Sequence, residues 1–432
     1  MRLRLFLAAW SALWTLGLPL ILGYLWWRGR KDALYRQRIA ERFGRYDRAL
    51  PGAVWVHAVS LGEVRSAVPL IRALMERGEK VVITTFTPAG RREADRVLAA
   101  KVSAGQVAVV WVPLETAWAY GRFFRAFAPK LGLVMEIEIW PRMVAASANA
   151  GVPLFMCNAQ YPEPSMARDA RGTLRHAVMR CFAGALVKSD LQARRFASVG
   201  VRNIHVTGEL RFDQPVPQAL VEAGRAARAA LAGDRPVITF ASAVEGEDEI
   251  YLDAIARALA RKPRPFIVYV PRKPERFDEV AALVAAGGIA MVRRSQVLGA
   301  DLKVLDAPKA DLLLGDSLGE MYAYLAMADR AVTGGGFIPA GAHNIIEPLA
   351  LGRPVIVGPN IHTIEYPAVE AIAAGVCLRV ATAGDLAAAL GPDGWPGPTQ
   401  QGIEAFLAAH SGATEKTMTA IAPYLAHGQA GR

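Results

Sequence analysis

The 432-residue sequence predicts an α/β protein with two Rossmann-like, doubly wound domains that face each other across a cleft. Strand-like apolar runs alternate with helical stretches along most of the chain, which is typical of parallel strands joined by crossover helices. The alternation pauses near 211–217, where Asp213-Gln-Pro-Val-Pro predicts a linker, and then resumes. We therefore expect an N-terminal segment at 1–31, a first domain at 32–212 and a second domain at 213–432.

The N-terminal segment contains an uncharged apolar run at 5–27, whose 23 residues are enough to cross a bilayer core with some tilt. A cleaved signal peptide fits less well, because bulky Tyr24, Trp26 and Trp27 stand where small residues should precede a cleavage site. We expect a single membrane anchor that spans the bilayer. A helix lying flat in the interface is the alternative, because two glycines and a proline weaken a straight span.

Positive charge is concentrated near the same segment, since residues 1–50 hold +7 of the net charge of +11. Basic residues after the apolar run, such as Arg28 and Lys31, outnumber those before it, which predicts a cytoplasmic body. A basic amphipathic helix is expected at 35–48, against anionic headgroups or over the first domain. Nucleic acid is not expected as a partner, because no recognition motif accompanies the charge.

Two further site classes are not expected. The three cysteines (Cys157, Cys181 and Cys377) are far apart and odd in number, so neither a disulfide framework nor a zinc site is predicted. No His-Glu-x-x-His pattern or other metal-ligand spacing occurs, and we expect no metal.

The predicted elements follow the apolar runs in chain order. In the first domain the strands are 53–59, 80–86, 107–114, 130–136, 153–159, 184–189 and 204–209, and the helices are 64–77, 90–100, 116–127, 141–150 and 189–198. In the second domain the strands are 236–241, 265–270, 289–294, 303–306, 311–315, 330–333, 354–357 and 376–380. Its helices are 247–261, 276–286, 319–327, 344–351, 365–374, 383–390 and one tail helix at 402–427.

The first strand ends in a tight turn that begins a helix, because its apolar run is followed by Ser60-Leu-Gly-Glu63. Glu63 therefore lies at the carboxyl edge of the sheet, where ligands of open α/β sheets bind. Ser60 and Glu63 also have the spacing of a capping box, and from these residues alone capping is the favoured interpretation. Glu136 and Glu138 end another strand ahead of Pro141. They predict contacts to sugar hydroxyls or a favourable interaction with a helix dipole.

A glycine-rich loop in the second domain, Gly334-Gly335-Gly336, follows a strand and opens a helix. Glycines let the backbone approach a ligand closely, and a helix start supplies free amides, so the loop predicts a phosphate site. The alternative is a glycine-rich turn with Asn344 as the helix cap. Glu347 would then pair with that cap, or would hold a ribose diol.

Two other loops lie at strand ends of the second domain. Arg272 follows the strand at 265–270 and could bind a phosphate in bidentate fashion, the alternative being a solvated loop charge. Ser242-Ala-Val-Glu245-Gly-Glu247 precedes a helix, and another capping box is the favoured interpretation there.

A hydrolase site is not expected, although Gly315-Asp-Ser317-Leu-Gly319 matches a nucleophile elbow. That chemistry needs a downstream acid, a histidine and an oxyanion loop. No His-Gly-Gly-Gly loop of the lipase type occurs early in the chain.

Together these motifs resemble the Kdo transferases, which transfer 3-deoxy-D-manno-octulosonic acid (Kdo) to the lipid A precursor. The resemblance covers nearly the whole chain and is carried by Glu-Arg-Phe-Gly (41–44), His-Ala-Val-Ser-Leu-Gly-Glu (57–63), Glu-Ile-Glu-Ile-Trp-Pro (136–141), Thr-Gly-Glu-Leu-Arg-Phe-Asp (207–213), Ala-Ser-Ala-Val-Glu-Gly-Glu (241–247), Pro-Arg-Lys-Pro-Glu-Arg-Phe (271–277), Gly-Asp-Ser-Leu-Gly-Glu (315–320), Gly-Gly-Gly-Phe-Ile-Pro and His-Asn-Ile-Ile-Glu-Pro (334–348).

The resemblance implies a glycosyltransferase B fold, CMP-Kdo as the donor, no cofactor or metal, and inversion at the anomeric carbon. It implies an acceptor such as lipid IVA at the cytoplasmic leaflet of the inner membrane, in lipopolysaccharide biosynthesis. It also implies that Glu63 is the general base. The donor-binding residues would be Ser242, Arg272, Gly334, Gly335, Gly336, Asn344 and Glu347, and the acceptor or cleft residues would be Glu136, Glu138 and Arg211.

Three positions depart from the usual family pattern: Gln160, Arg211 and Val244. They lie on expected acceptor or cleft loops. Two rival hypotheses follow, namely a related transferase with another acidic sugar or acceptor, and a catalytically silent nucleotide- or lipid-binding relative.

Overall fold

A computed structural model describes residues 2–172, 174–391 and 394–427. The chain forms two compact units, one comprising Met1–Gln214 with Ser411–Arg432 and the other comprising Pro215–His410. Each unit contains a seven-stranded parallel sheet, which confirms the predicted α/β class with two doubly wound domains. The structure moves the boundary by two residues and returns the end of the chain to the first unit, so the predicted second domain at 213–432 extends too far.

The first sheet has its strands in the order β3-β2-β1-β4-β5-β6-β7. The central strand is β1, where Val54 pairs with Val81 on one side and with Leu131 on the other. The strand order reverses beside β1, since β2 and β3 lie on one side of it and β4 to β7 lie on the other. The carboxyl end of β1 is therefore the topological switch point, where α/β sheets bind ligands. The strands are β1 (Val54–His57), β2 (Val81–Thr85), β3 (Val107–Trp111), β4 (Leu131–Met135), β5 (Leu154–Ala159), β6 (Gly184–Val187) and β7 (Ile204–Val206).

Helices cover both faces of this sheet, so its strands are continuous apolar runs rather than alternating ones. Val54 and Val56 belong to the core on one face, and Trp55 belongs to the core on the other. The helices are α1 (Arg2–Arg28), α2 (Ile39–Arg42), α3 (Leu61–Glu76), α4 (Pro88–Val97), α5 (Ala99–Ser103), α6 (Ala117–Phe127), α7 (Pro141–Asn149), α8 (Glu163–Asp169), α9 (Leu174–Met179) and α10 (Asp190–Ser198). Short 3-10 helices lie at Ala33–Arg36 and Leu210–Asp213.

The second sheet has the order β10-β11-β9-β8-β12-β13-β14. Its strands are β8 (Val237–Ala243), β9 (Phe266–Pro271), β10 (Met291–Arg293), β11 (Leu312–Leu314), β12 (Arg330–Thr333), β13 (Val355–Val357) and β14 (Cys377–Arg379). Its helices are α11 (Gln218–Leu231), α12 (Asp248–Leu259), α13 (Phe277–Ala286), α14 (Arg294–Val297), α15 (Met321–Met327), α16 (Ile346–Ala350), α17 (Glu365–Ala373), α18 (Ala383–Ala389) and α19 (Gln400–His410). Short 3-10 helices lie at Pro274–Arg276 and His362–Ile364.

The single tail helix predicted at 402–427 is two helices, because the chain breaks at Gly412, where φ is +83°. The second of them is α20 (Ala413–His427), which packs against α3. The carboxylate of Asp213 accepts hydrogen bonds from the amides of Gly412 (2.7 Å) and Thr414 (2.6 Å) and so satisfies the start of α20. Ile421 and Leu425 complete the core on the α3 face of the first sheet.

The predicted amphipathic helix at 35–48 is also wrong. Arg38 has a φ of 51° and Gly44 a φ of 71°, and these left-handed residues leave only the short helix α2 between them. Arg42 does not face headgroups. It is fully buried, with its guanidinium 4.3 Å from the centroid of the Trp111 ring.

One predicted strand, at 303–306, is likewise absent among the described residues, where only an isolated antiparallel bridge joins Leu298 and Val304. The N-terminal apolar helix is confirmed. Leu5–Arg28 has a mean hydropathy of 1.9 and is long and apolar enough to cross a membrane.

We expect Ile421→Ala to destabilise the first unit by about 2–5 kcal/mol, because it opens a cavity where α20 packs on the sheet's helices. Chemical denaturation of the full chain, followed by tryptophan fluorescence, measures this, since only Trp395 lies outside the first unit. The exposed Thr419 of the same helix provides the control, and Thr419→Ala should change stability by no more than about 0.5 kcal/mol. Equal effects of the two substitutions would show that α20 does not belong to this core.

Candidate functional site

Glu63 lies in the first turn of α3, directly after β1, as predicted. Ser60 is the N-cap and accepts a hydrogen bond from the Glu63 amide at 3.3 Å. The Glu63 carboxylate in turn accepts from the Ser60 hydroxyl at 2.8 Å and from the Val59 amide at 2.9 Å. The capping interaction is therefore present, although the carboxylate reaches the amide of Val59 rather than that of the cap itself.

The surroundings of Glu63 shift its proton affinity into the neutral range. Burial raises its pKa to about 7, and the nearby carboxylates of Glu138 and Glu136 act in the same direction. The hydrogen bonds from Ser60 and Val59 oppose this shift without cancelling it. A carboxylate with such a pKa can accept a proton from a substrate hydroxyl near neutral pH.

Glu136 and Glu138 follow β4 at the same edge of the sheet. Glu136 has a left-handed φ of 58°, and its two oxygens accept hydrogen bonds from the Lys188 ammonium at 3.1 and 3.0 Å. Glu138 accepts from the indole nitrogen of Trp140 at 2.7 Å.

The sequence also allowed Glu136 and Glu138 to interact with the dipole of α7, but a different carboxylate lies at the start of that helix. Glu115 accepts hydrogen bonds there from the amides of Arg142 at 2.8 Å and Met143 at 3.0 Å. That buried carboxylate, rather than Glu136 or Glu138, therefore satisfies the first turn of α7.

Lys188 is a member of this site that sequence reasoning missed. Its ammonium is buried and also lies 2.8 Å from the Glu209 carboxylate. Burial acts to lower the pKa of Lys188, but Glu136 and Glu209 outweigh it and the pKa is raised. The signal in the sequence was a lysine directly after the apolar run of β6.

Asn158 joins the same network and was also missed as a site residue. Its amide donates to Glu209 at 2.9 Å and to Glu136 at 3.2 Å, and its oxygen accepts from the Leu210 amide at 3.0 Å. Arg211 extends the network, since its guanidinium donates to the Ser66 hydroxyl of α3 at 2.7 Å. The structure thus brings the predicted Glu63, Glu136, Glu138 and Arg211 together at one edge of the first sheet, with Asn158, Lys188 and Glu209.

In the second unit, the glycine loop is built around the buried carboxylate of Glu247. This carboxylate accepts hydrogen bonds from the amides of Val244 (3.1 Å), Gly335 (2.7 Å) and Phe337 (3.0 Å), and from the Tyr251 hydroxyl (2.9 Å). The favoured capping box before α12 is therefore wrong, because Glu247 is itself the N-cap position and its side chain serves the loop instead.

The glycines of the loop are required by close backbone packing. A Cβ on Gly334 would lie 2.2 Å from the Ser242 carbonyl oxygen, and one on Gly336 would lie 2.6 Å from the Gly358 amide nitrogen. The amide of Gly334 donates to Ala241, and that of Gly335 to Glu247. These two amides are therefore engaged within the protein, as in the glycine-rich turn of the alternative, and donor binding by the loop stays a prediction.

Ser242 marks the end of β8 by an unusual backbone. Its φ is 59°, and the pairing of β8 with β9 shifts register between Ala241 and Ala243. Left-handed conformations of this kind in non-glycine residues cost free energy and cluster at functional sites. Donor binding by Ser242 stays a prediction.

The two arginines after β9 have different surroundings. Arg276 is buried and pairs with Asp248 at 2.8 Å and with Glu279 at 3.0 Å, so it holds the fold together. Arg272 is exposed at the carboxyl edge of the sheet. Burial, aided by the charge of Arg272, lowers the pKa of His343 to about 4. This places Arg272 near the glycine loop and leaves it the better candidate for a phosphate contact.

Asn344 and Glu347 lie at the start of the short helix α16. The Asn344 side chain accepts a hydrogen bond from the Ile346 amide at 2.9 Å, so the capping alternative is observed in a local form. The charge of Glu347 adds to burial in raising the pKa of Tyr322. The Ser317 hydroxyl of the nucleophile-elbow pattern contacts Glu320 and Tyr324. Neither is the histidine that a hydrolase triad requires.

Residues 37–214 match the family described as 3-deoxy-D-manno-octulosonic-acid transferase (kdotransferase). The 3-deoxy-D-manno-octulosonic acid transferase of Bordetella pertussis is 41% identical over 424 residues, covering 94% of this chain and 96% of that protein. The chain belongs to the Kdo transferase family.

Other relatives agree with this assignment. The transferase of the same name from Haemophilus influenzae is 33% identical over 81% of each chain. A glycosyltransferase structure from Rickettsia africae superposes with a TM-score of 0.56 at 13% identity, covering 88% of this chain and 98% of that one. The predicted family, the glycosyltransferase activity and the glycosyltransferase B class of fold are thereby confirmed.

The raised pKa of Glu63 predicts a pH-dependent effect of Glu63→Gln on stability. The native state holds this proton up to about pH 7, whereas the ordinary pKa of a glutamate is 4.5. Between these values the native state binds more protons than the unfolded state, so the stability contributed by protonated Glu63 is lost as the pH rises. The melting temperature of Glu63→Gln relative to the natural protein should therefore rise between pH 5 and pH 8.

Glu76→Gln on the exposed face of the same helix is the matched control, and its relative melting temperature should show no such rise. A difference for Glu63→Gln that stays flat across this pH range would contradict the raised pKa.

Proposed function

We propose that this chain transfers Kdo from CMP-Kdo to a lipid A precursor such as lipid IVA, with inversion of the anomeric carbon, in lipopolysaccharide biosynthesis. Membership of the Kdo transferase family supports the transferred sugar. The observation that carries the chemistry is Glu63, a carboxylate at the switch point of the first sheet with a pKa of about 7.

In the proposed reaction an acceptor hydroxyl gives its proton to the Glu63 carboxylate as its oxygen attacks the anomeric carbon of Kdo. A new carbon–oxygen bond forms on one face of that carbon, and the bond to the phosphate oxygen of CMP breaks on the other. CMP leaves with the electron pair. Arg272 would stabilise the negative charge of its phosphate, which an arginine can do with two parallel hydrogen bonds.

The remaining roles are divided between the two units. We propose that Glu136, Glu138 and Arg211 bind the acceptor. Their position at one edge of the first sheet supports this, where Glu136 contacts Lys188, Glu138 contacts Trp140 and Arg211 contacts Ser66. In the second unit, Ser242, Asn344 and Glu347 would contact the donor, together with the glycine loop. Because CMP carries one phosphate, an arginine can stabilise the leaving group, and we propose a reaction that needs no metal and no cofactor.

We also propose that the chain is attached to the inner membrane with its body in the cytoplasm. The apolar helix α1 and the basic residues around it support this location, because an anionic bilayer attracts juxtamembrane Arg and Lys. A lipid acceptor in the cytoplasmic leaflet would then lie in the same membrane as the enzyme.

One observation favours a second candidate within the same fold. Gln160, which departs from the family pattern, accepts a hydrogen bond from Lys188 at 3.4 Å and so touches the network of the first unit. A related transferase with another acidic sugar or acceptor is therefore the alternative. A radiolabel transfer assay with CMP-Kdo and lipid A precursor separates it from the first proposal, and turnover of no acidic sugar nucleotide would indicate a silent relative.

Glu63→Gln should lower the rate of Kdo transfer by roughly 10²–10⁴-fold, the usual contribution of a general base. CMP binding, measured by calorimetry, should stay unchanged because Glu63 would not contact the donor nucleotide. Glu76→Gln on the same helix is the control and should keep full activity. Loss of CMP binding in Glu63→Gln with intact folding would remove Glu63 from the role of base.

Arg272→Ala should raise the dissociation constant for CMP by roughly 10–100-fold, as expected when a charged hydrogen bond to phosphate is lost. The neighbouring Lys273 is also exposed, and Lys273→Ala is the matched control for a general loss of positive charge. Equal weakening by both substitutions would assign the effect to bulk electrostatics rather than to a phosphate contact by Arg272.

A further inference from the structure

Helix α1 is attached to the first unit at two places far apart along its length. Near its N-terminal end, the indole nitrogen of Trp10 donates to the buried Glu115 carboxylate at 3.0 Å. On the next residue, the Ser11 hydroxyl accepts from the Arg142 guanidinium at 3.0 Å. The N-terminal third of the apolar helix is therefore in polar contact with the start of α7.

The second attachment lies at the other end of α1. The guanidinium of Arg36 donates to the Trp26 carbonyl at 2.8 and 3.1 Å. The following segment is tied to α4, since Asp32 pairs with Arg92 at 2.6 Å. With a rise of 1.5 Å per residue, the two attachments are roughly 22 Å apart along the helix.

This geometry does not fit a helix that crosses the bilayer away from its body. If α1 spanned the membrane with its C-terminal end at the cytoplasmic surface, Ser11 would lie about 25 Å from that end. Glu115 and Arg142 would have to follow it into the hydrocarbon, where a charged side chain is costly.

The other face of α1 forms an apolar stripe along the whole helix. Exposed residues recur every three or four positions, so they lie on one side, and the large ones among them are Leu5, Leu13, Leu16, Leu20, Tyr24, Trp26 and Trp27. Leu16 and Leu20 are each 80% exposed. The opposite side is half-buried, and Leu3 and Phe6 pack against the core of the first unit.

We propose that α1 lies in the plane of the membrane interface, as a monotopic attachment of the first unit to an anionic phospholipid bilayer. This inference rests on the proposed membrane location and specifies its geometry. The apolar stripe enters the boundary between headgroups and acyl chains, where tryptophan and tyrosine are favoured. The exposed Arg30, Lys31 and Arg38, which follow α1, are complementary to anionic headgroups, and this commits the stripe to lipid rather than to a protein partner.

The attachment also has a consequence for the candidate acceptor site. The start of α7, which contacts α1, directly follows the segment that carries Glu138 and Trp140. A lipid acceptor held in the same interface therefore needs to travel only a short distance from the bilayer to this edge of the first sheet.

Cysteine cross-linking with a short bis-maleimide, applied to the full-length protein in native membrane vesicles, tests the proposal. The background is Cys181→Ser, since the remaining Cys157 and Cys377 are buried. A short bis-maleimide should join Ser11→Cys to Arg142→Cys within most molecules, because the two natural side chains are in contact at 3.0 Å. A cross-linking reagent is used because a long arginine side chain can reach a partner whose backbone is too far away for a direct disulfide. The matched control is Leu13→Cys with Arg142→Cys, which should not cross-link because Leu13 is 62% exposed on the stripe.

A labelling experiment gives an independent readout if the cross-linking variants fold poorly. A membrane-impermeant maleimide should label Arg4→Cys, in the Cys181→Ser background, only in inverted vesicles. The exposed native Cys181 of the unsubstituted protein reports the side of the body and should behave in the same way. Labelling of Arg4→Cys in spheroplasts would place the N-terminus across the membrane and overturn the proposal.

Three other outcomes would contradict parts of the proposal. A dominant disulfide-linked dimer of Leu16→Cys would show that a second copy, not lipid, covers the stripe. If the protein is folded and in the membrane but the Ser11 pair does not cross-link, the interfacial geometry is overturned and the membrane location stands. Absence of the protein from the membrane fraction overturns the proposed membrane location as well.

Discussion

The buried ammonium of Lys188 is the charge on which the carboxyl edge of the first sheet depends. A lysine removed from water keeps its proton only if carboxylates surround it, and Glu136 and Glu209 do so. Glu136 and Glu209 follow β4 and β7, and Asn158 is the last residue but one of β5, so the network ties the ends of separate strands together. Glu63 lies outside this ion pair, and burial, aided by the charges of Glu138 and Glu136, raises its pKa.

In the second unit a buried carboxylate, that of Glu247, is stabilised by neutral hydrogen-bond donors. Backbone amides and Tyr251 supply four hydrogen bonds to this carboxylate. The two loops that follow β8 and β12 are thereby held in one arrangement. Ordered loops at that edge fit a binding site, because the cost of fixing the backbone is met in folding rather than on ligand binding.

Local patterns predicted the sheets well and the long-range partners poorly. Strand positions and the turn at Glu63 follow from apolar runs and glycine placement, which depend on neighbouring residues alone. The roles of Lys188 and Glu247 depend on residues far along the chain. Glu247 had the spacing of a helix cap, and Arg42 had the position of a headgroup-facing charge, yet burial against Trp111 decided its place. The break at Gly412 was equally hidden within a helical pattern.

The return of α20 to the first unit sets the order of events during synthesis. The ribosome makes residues 1–214 first, but the apolar surface of α3 that α20 covers stays open until the chain beyond 410 has been made. At translation rates of 5–20 residues per second, the intervening stretch takes roughly 10–40 s. The nascent first unit thus exposes an apolar surface while the second unit folds. During that interval a chaperone could bind this surface.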